Sequence, residues 1–263
     1  MPYQQPDPLT LVSQRLAGRV IFVTGASSGI GEAAARRFAA EGATVVAAAR
    51  RAERIKALAE DLRAQGRDAL AVPCDVTDEQ SVAAAIDEAV RTFGRLDGAF
   101  NNAGVDGGRR PLHELDVATF DNVIATNLRG AFLCMKYEIP ALLDAGGGSI
   151  VNTSSVGGLV GGRDNADYSA SKFGLAGLVK CAALGYARNG IRVNAIAPGP
   201  TRTELFDRWM PNEEARSRLA GWFPMNYIAH PDDMARVALF LLSDESRWMT
   251  GTVLPCEGGF TAG

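Results

Sequence analysis

A tyrosine and a lysine with acid/base chemistry, Tyr168 and Lys172, stand four residues apart in the chain. The surrounding segment has a helical pattern, so both side chains lie on one face, about one turn from each other. A phenol with an ordinary pKa of about 10 is a poor base at neutral pH, but a nearby ammonium favours the phenolate. The pair predicts a general acid/base that exchanges a proton with an oxygen atom.

Ser155 lies 13 residues before Tyr168, at the end of a predicted strand. Its hydroxyl can donate to an oxygen on which negative charge develops. A serine hydrolase would need a GxSxG turn and a histidine partner. That turn is absent, and neither His113 nor His230 lies near a suitable motif, so we exclude nucleophilic catalysis by serine.

A glycine-rich turn, TGASSGIGE, directly follows the first predicted strand and opens a predicted helix. Gly25, Gly29 and Gly31 let the backbone come close to a phosphate, and the helix start offers N–H groups and a positive dipole end. A second predicted strand begins 13 residues beyond Gly31. The arrangement predicts a dinucleotide site, with a turn that holds no ligand as the alternative.

The end of the second strand bears on which dinucleotide binds. NAD-binding proteins of this architecture usually carry Asp or Glu there to hold the ribose 2′-hydroxyl. This chain has Ala49, followed by Arg50 and Arg51. Because a guanidinium pairs well with a 2′-phosphate, we expect NADP(H), with Arg50 as the main contact. NAD(H) stays open if Arg50 turns outward, since paired arginines are often a solvated helix start.

These residues need a scaffold, and the rest of the pattern predicts one. Short β-branched runs alternate with helical stretches, which indicates a parallel sheet with helices on both faces. The fold class is therefore α/β, a single-domain Rossmann-like doubly wound parallel sheet. About seven strands are predicted, at residues 20–23, 44–49, 69–73, 96–101, 149–153, 192–197 and 252–255.

The domain is predicted to span residues 18–263, after an N-terminal arm at residues 1–17. A segment at about 204–231 is rich in Phe, Trp, Met and Tyr but has no strand pattern. We interpret it as a helical lid that shapes an apolar substrate pocket.

Composition narrows the function classes. The 263 residues are 47% hydrophobic and 22% charged, and the formal net charge of -3 gives no general attraction to nucleic acid. No uncharged apolar run approaches the roughly 20 residues that cross a bilayer, and the N-terminus lacks a secretory pattern, so we expect no membrane contact and a cytoplasmic location. Four scattered cysteines and two isolated histidines predict reduced packing thiols and no metal site.

The chain resembles the short-chain dehydrogenase/reductase family from about Gly18 to its end. The resemblance rests on motifs in the family's order and spacing: TGASSGIG at 24–31, CDV at 74–76, NNAG at 101–104, Asn127, SS at 154–155, YSASK at 168–172 and PGPTRT at 198–203. A departure is Tyr227, in a segment where the family often has arginine, which affects the lid and interface rather than the chemistry.

The resemblance implies catalytic roles for Asn127, Ser155, Tyr168 and Lys172, with Asn127 positioning a water that relays protons to Lys172. It also implies that Asp75 and Val76 flank the adenine, although Asp75 and the NNAG run could be ordinary turn residues. Residues 102–104 would line the adenosine side, and residues 198–203 would hold the nicotinamide. The implied cofactor contacts are Gly25, Ser27, Ser28, Gly29, Ile30, Gly31, Arg50, Arg51, Asp75, Val76, Asn102, Ala103, Gly104, Tyr168, Lys172, Pro198, Gly199, Thr201 and Thr203.

The function expected from these residues is hydride transfer between NADP(H) and the carbonyl or secondary alcohol of a small, apolar cyclic or aromatic substrate. Two alternatives remain: the same chemistry with NAD(H), and a catalytically silent dinucleotide sensor or scaffold. Arg109 and Arg110 could reach an acidic substituent, but a solvated face is favoured for them. The resemblance implies a homotetramer, and the sequence alone leaves a dimer open.

Overall fold

The computed structural model describes residues 14–210 and 212–263 of the chain. Its strands are β1 (Val20–Thr24), β2 (Thr44–Ala49), β3 (Ala69–Pro73), β4 (Gly98–Asn101), β5 (Gly148–Thr153), β6 (Ile191–Pro198) and β7 (Val253–Cys256). They form one parallel sheet in the order β3-β2-β1-β4-β5-β6-β7. The predicted α/β, Rossmann-like doubly wound fold is confirmed.

The strand predictions agree with the structure to within one residue, except at the start of β4. That strand was expected from residue 96 and begins at Gly98. The residues of β4 that pair with β1 and β5 begin at Gly98, and Asp97 adds hydrogen bonds just before them, accepting from Ser149 N–H through its carbonyl at 3.2 Å. Its backbone N–H donates to the Val20 carbonyl and its carboxylate accepts from the Val20 N–H, at 2.9 Å each.

Helices cover both faces of the sheet. The α-helices are α1 (Gly29–Ala40), α2 (Ala52–Ala64), α3 (Glu79–Phe93), α4 (Val117–Ile124), α5 (Gly130–Asp144), α6 (Ala166–Tyr186), α7 (Glu204–Trp209), α8 (Glu213–Ala220) and α9 (Pro231–Leu242). Helices α1, α2 and α9 bury their apolar faces in one core, and α3, α5 and α6 in a second core on the other side. The sheet is thereby buried on both faces, which is why its strands are continuous apolar runs such as VIFVT.

Local signals fix where these helices begin and end. Asp78 caps α3 by accepting from Gln80 N–H, and Gly94, with φ of 76°, ends that helix in the left-handed conformation. Helix α9 starts with Pro231 in its first turn, behind a capping box formed by His230 and Asp233.

The N-terminal arm was predicted at residues 1–17, and residues 1–13 lie outside the described part of the chain. Residues 14–17 are not loose. Leu16 is fully buried, and Arg15 pairs with Glu41 at 2.6 Å. The apolar side chain of Leu16 packs in the core beside α1.

Other expectations concern cysteines and membranes. All four cysteines have free thiols, but Cys181 is exposed, so the prediction that all four are packing residues is wrong for this one. Within the described residues, no helix is both long and apolar enough to span a bilayer. The same residues contain no group of three or more His, Cys, Asp or Glu placed to hold a metal ion.

A buried carboxyl lies in the core between α5 and the sheet. Glu138 is fully buried and accepts a hydrogen bond from Asn101 Nδ2 at 2.9 Å. Burial raises the pKa of this carboxyl to about 8, against the smaller lowering effect of Asn101. Its second oxygen and Asn101 Oδ1 have no partner in the described part of the chain. The neutral acid therefore suits this position, because a carboxylate would be a desolvated charge.

Glu138→Gln should change how stability depends on pH. The folded pKa of Glu138 lies above its unfolded value, so stability from the neutral carboxyl is lost as pH rises toward 8. We expect the free energy of unfolding of E138Q, relative to wild type, to increase by about 2 kcal/mol from pH 6 to pH 8 in urea titrations. E60Q, at exposed Glu60 on α2, is the matched control. A difference that stays constant with pH would contradict the assignment.

Candidate active site

The glycine-rich turn lies at the carboxyl end of β1, where the strand order reverses between β2 and β4. Open α/β sheets bind ligands at such a switch point. Gly25 and Gly29 have positive φ, at 67° and 58°. A Cβ on Gly31 would come within 2.3 Å of the Gly25 carbonyl oxygen and 2.7 Å of Asn102 Nδ2. Only glycine fits there, so the start of α1 lies directly against the turn, with its N–H groups available to a phosphate.

Side-chain hydroxyls connect the ends of three neighbouring strands at this edge. Thr24 Oγ1 accepts from the backbone N–H groups of Asn102 and Ala103, at 3.0 and 3.1 Å. Thr153 Oγ1 donates to Asn102 Oδ1 at 3.3 Å. The NNAG segment after β4 is thus tied to β1 on one side and to β5 on the other.

The acid/base residues meet beside this segment. Tyr168 and Lys172, on the first turns of α6, place the ammonium 5.5 Å from the centroid of the phenol ring. Lys172 is buried and donates to the Thr153 carbonyl at 2.7 Å. Ser155, two residues after the end of β5, lies close enough to Tyr168 that its hydroxyl lowers the pKa of the phenol. The structure therefore brings Ser155, Tyr168 and Lys172 together at the carboxyl edge of the sheet.

Burial governs the protonation of this cluster. Burial lowers the pKa of Lys172 to about 8. Burial also raises the pKa of the Tyr168 phenol, and the hydrogen bond with Ser155 offsets only part of this effect. The sequence suggested that the ammonium would favour the phenolate. In the structure the protein's own groups keep Tyr168 protonated, which suits a proton donor.

Asn127 lies in a π-helical turn, Ala125–Arg129, between α4 and α5. Its side chain pairs with the backbone of Val105, accepting from the N–H at 2.8 Å and donating to the carbonyl at 2.9 Å. A cavity of about 10 Å³ lies between Asn127, Thr153 and Ala103. That volume is about the lower limit for one water molecule. Asn127 thus holds the loop after NNAG and borders a space of water size.

The two arginines after β2 differ from expectation. Arg50 is 65% exposed and lies 4.0 Å from Asp75. Arg51 is the one that contacts the glycine-rich turn, donating to Ser27 Oγ at 3.0 Å and to Ser28 Oγ at 2.5 Å. Both arginines lie at the predicted adenosine end, and nothing in the residue pattern favoured Arg51 over Arg50.

The remaining predicted cofactor residues line the same edge. Asp75 accepts from the N–H and hydroxyl of Thr77, at 3.0 and 2.8 Å. Val76 packs against the start of α5, because a Cβ on Gly130 would lie 2.9 Å from Val76 Cγ2. After β6, a Cβ on Gly199 would approach the Glu257 backbone at 2.9 Å.

The segment after Pro198 leads from the sheet to the predicted lid. Thr201 Oγ1 donates to the Gly199 carbonyl at 3.1 Å. Thr203 caps α7 by accepting from Phe206 N–H, and a Cβ on Gly29 would touch its methyl group at 3.0 Å. The start of the lid thus rests on the glycine-rich turn beside Ile30.

The predicted lid has its own small core, so many of its large apolar residues serve packing. Phe206, Leu219, Ala220, Phe223 and Ile228 are buried together. The loop after NNAG contacts this unit through one side chain. The Arg109 guanidinium lies 3.9 Å from the centroid of a Trp209 ring and pairs with Asp106 at 3.0 Å. Arg109 is exposed, as favoured from the sequence, but it also joins the loop to the lid.

Asp167 is a residue that sequence reasoning missed. It is fully buried directly before Tyr168, accepting from Tyr168 N–H through Oδ1 and from Gly108 N–H through Oδ2, at 2.8 Å each. A Cβ on Gly107 would lie 2.5 Å from its carboxylate. Asp167 thus fastens the loop after NNAG to the start of α6. An acid in the first turn of a predicted helix was the only available signal, and it is a common one.

Known proteins resemble the chain along nearly its whole length. A family model described as enoyl-(acyl carrier protein) reductase matches residues 25–261. A-factor type gamma-butyrolactone 1'-reductase (1S-forming) of Streptomyces virginiae is 46% identical over 248 residues, 94% of this chain and 96% of the relative. Cis-4-hydroxycyclohexanecarboxylate dehydrogenase of Sinomonas cyclohexanicum is 44% identical over 251 residues, 95% of this chain and 100% of the relative.

A solved structure has the same fold as the chain. The crystal structure of levodione reductase superimposes with a TM-score of 0.91 at 36% identity, covering 94% of this chain and 99% of the other. These proteins share both the architecture and the length of the chain.

Asp167→Ala should slow turnover without weakening dinucleotide binding. The change removes two charge-assisted hydrogen bonds that fix the Tyr168 backbone and the loop at Gly108. Misplacement of a reacting group by about 1 Å costs on the order of 100-fold, so we expect kcat to fall roughly 10- to 100-fold. Steady-state rates and dinucleotide titration would measure the two effects.

Asp167→Asn keeps one acceptor and should recover part of the lost rate. Asp87→Ala, at an exposed position on α3, is the control and should behave as wild type. If D167A retained full kcat, Asp167 would have no part in positioning Tyr168.

Proposed function

The chain belongs to the short-chain dehydrogenase/reductase family, and from that premise we propose that it transfers a hydride between NADP(H) and the carbonyl or secondary alcohol of an apolar cyclic substrate, with Tyr168 as the acid/base. The observation that carries the proposal is the cluster of buried Ser155 and Lys172 with half-buried Tyr168, beside a turn in which only glycine fits at Gly31. A dinucleotide sensor would need the turn but has no physical need for the acid/base cluster.

The structure fits a dinucleotide by a test that does not depend on the family. The backbone of the turn approaches itself so closely at Gly31 that a phosphate can lie against main-chain N–H groups rather than side chains. Residues 25–31, 102–104 and 198–203 would hold the dinucleotide, together with Arg50, Arg51, Asp75 and Val76. When bound, it supplies the hydride donor or acceptor.

The chain's own residues handle the substrate oxygen and its proton. In the reductive direction, the Ser155 hydroxyl donates a hydrogen bond to the carbonyl oxygen as negative charge grows there. Tyr168, kept protonated by burial, gives its proton to the same oxygen. General acid catalysis of this kind contributes roughly 10²- to 10⁴-fold.

Lys172 and Asn127 supply the path by which Tyr168 regains its proton. Burial lowers the pKa of Lys172 to about 8, so the ammonium can give up a proton near neutral pH. The cavity bordered by Asn127 and Thr153 is about as large as one water molecule, and the Thr153 carbonyl accepts from Lys172. The Asn127 side chain keeps the adjoining backbone at Val105 in place.

The preference for NADP(H) is supported by the absence of a carboxylate at Ala49 and by two guanidinium groups next to it. NAD(H) is the second candidate, and one contact favours it. Arg51, which touches the turn, is already paired with a carboxylate of the lid, Glu204, at 2.7 Å.

The substrate class follows from the relatives and the lid. The names of the two relatives specify a butyrolactone and a hydroxycyclohexanecarboxylate, both built on a ring. The lid carries exposed apolar side chains, including Trp222 and Met225. A ring ketone or ring alcohol suits such a surface.

The proposal includes a cytoplasmic homotetramer. Exposed Phe132, Phe173 and Leu184 give α5 and α6 apolar faces that a second copy could cover.

Tyr168→Phe should abolish turnover and leave the cofactor affinity close to that of wild type. The change removes one hydroxyl, the proposed proton donor, and keeps the ring that packs beside Lys172. Cofactor oxidation at saturating ketone measures turnover, and dinucleotide titration measures affinity. Tyr186→Phe, at the far end of the same helix, is the control and should retain activity. A near-normal rate in Y168F would remove Tyr168 from the mechanism.

Reduction of a panel of cyclic ketones with NADPH and NADH in parallel tests the cofactor. We expect a higher kcat/KM with NADPH, and a loss of roughly tenfold or more of that preference in Arg50→Gln, because a guanidinium–phosphate pair is lost. Arg91→Gln, an exposed arginine of α3, should leave the ratio unchanged. A preference for NADH in the wild type would overturn the cofactor assignment while leaving the acid/base mechanism intact.

A further inference from the structure

A carboxylate of the lid reaches across to the adenosine end of the site. Glu204 is the first residue of α7, directly after the segment 198–203. It accepts from Arg51 Nη1 at 2.7 Å and from Arg54 Nη1. Both arginines belong to the start of α2, on the far side of the glycine-rich turn. No other feature of the proposed function calls for this link.

Every nitrogen of the Arg51 guanidinium is engaged. Nε donates to Ser27 Oγ, Nη2 to Ser28 Oγ and Nη1 to Glu204. Arg51 therefore spans from the turn that would hold the dinucleotide to the lid. A 2′-phosphate between the turn and the end of β2 would need donors from the same guanidinium. Glu204 and such a phosphate would thus compete for the Arg51 guanidinium.

The ion pairs of Glu204 are weak enough to be exchanged. Its side chain and those of Arg51 and Arg54 are each about half exposed. Exposed pairs of this kind contribute little, because water screens them and long side chains must be ordered. A phosphate monoester carries more charge than a carboxylate and has three acceptor oxygens. It can therefore displace Glu204 from Arg51.

We propose that Glu204 is a cofactor-specificity residue, which competes with the 2′-phosphate of NADP(H) for Arg51 and releases the start of the lid when that phosphate displaces it. The inference rests on the proposed use of NADP(H). Glu204 makes the affinity for the 2′-phosphate lower than it would be if Arg51 and Arg54 had no carboxylate partner. It leaves NAD(H) unaffected, since a 2′-hydroxyl does not displace a carboxylate from a guanidinium.

The contacts of α7 show how the release would reach the substrate side. Phe206, bonded to Thr203 at the start of α7, packs edge-on against Trp209. Trp209 stacks on Arg109 of the loop that Asp167 fastens next to Tyr168. A lid freed at Glu204 would remain attached to the substrate loop at its other end. Cofactor identity would then alter the mobility of α7.

Binding of two cofactor fragments to Glu204→Gln tests the competition without any turnover. Adenosine 2′,5′-bisphosphate and AMP differ only by the 2′-phosphate, and calorimetry gives the Kd of each. We expect E204Q to bind the bisphosphate about fivefold more tightly than wild type and AMP unchanged, as removal of a half-exposed pair predicts. Glu214→Gln, which removes the same charge from α8 and touches only Arg218 among the ion pairs of the described residues, should resemble wild type.

The Arg51→Gln background provides a second check. Without the Arg51 guanidinium, adding E204Q should change the affinity for the bisphosphate by less than in the wild-type background, because the two groups act through each other. Equal effects in both backgrounds would overturn the competition.

The fragment data separate this inference from the proposed cofactor. If wild type prefers the bisphosphate and E204Q does not improve it, the inference is wrong and the NADP(H) proposal stands. If wild type binds the two fragments equally and E204Q prefers the bisphosphate, Glu204 does compete with the 2′-phosphate. The proposal that the natural chain uses NADP(H) then fails. If neither wild type nor E204Q binds the bisphosphate more tightly than AMP, both the inference and the NADP(H) proposal are wrong.

Hydrogen exchange of the α7 amides measures whether the start of the lid is released. Phe206 N–H and Asp207 N–H, both bonded to Thr203, should exchange faster in wild type with the bisphosphate than with AMP. In E204Q both should exchange faster without either fragment. Equal exchange under all conditions would remove the lid from the proposal.

Discussion

The contact between Gly31 and the Gly25 carbonyl is the constraint on which the site depends. It brings the start of α1 against the end of β1, so closely that any side chain at position 31 would collide with backbone. Asn102 fits beside the same turn only because both glycines lack side chains, and Thr24 then fixes the NNAG segment through two backbone hydrogen bonds. From there the connection continues through Thr153 to Lys172. The acid/base cluster is thus positioned from the first strand outward.

Burial supplies the chemistry that this geometry arranges. Burial favours the neutral form of both Lys172 and Tyr168, and it brings the pKa of the lysine to about 8 while it raises that of the tyrosine. Proton transfer from the Lys172 ammonium to a Tyr168 phenolate is therefore favourable, which restores the proton donor after each turnover. Glu138 shows the same physics without any contact to the cluster, because its pKa is raised by burial alone against a single amide partner.

The sequence predicted the sheet, its strand boundaries and the residues at its carboxyl edge because these follow from periodicity and from motifs within short segments. The hydrogen bonds of Asp167, the pairing of Glu204 with Arg51 and the stacking of Arg109 on Trp209 were not predicted, since they are contacts between segments far apart in the chain. Glu204 lies 153 residues from Arg51, and Asp167 lies 59 residues from Gly108. Arg50 and Arg51 could be placed together at one end of the site, but only packing decides which of them touches the turn. The start of β4 was placed two residues early because Leu96 is as fully buried as the strand residues, although the sheet pairing begins at Gly98.

The stacking of Arg109 on Trp209 has an optical consequence. Trp209 is the only one of the three tryptophans that faces a cation at close range, 3.9 Å from ring centroid to guanidinium, among the aromatic contacts of residues 14–210 and 212–263. Trp222 and Trp248 are 70% and 97% exposed, so their emission reports bulk water. A chain that keeps Trp209 alone would carry an intrinsic fluorophore at the meeting point of loop and lid. The emission maximum of that single indole would follow the opening of the site in real time, without any added label.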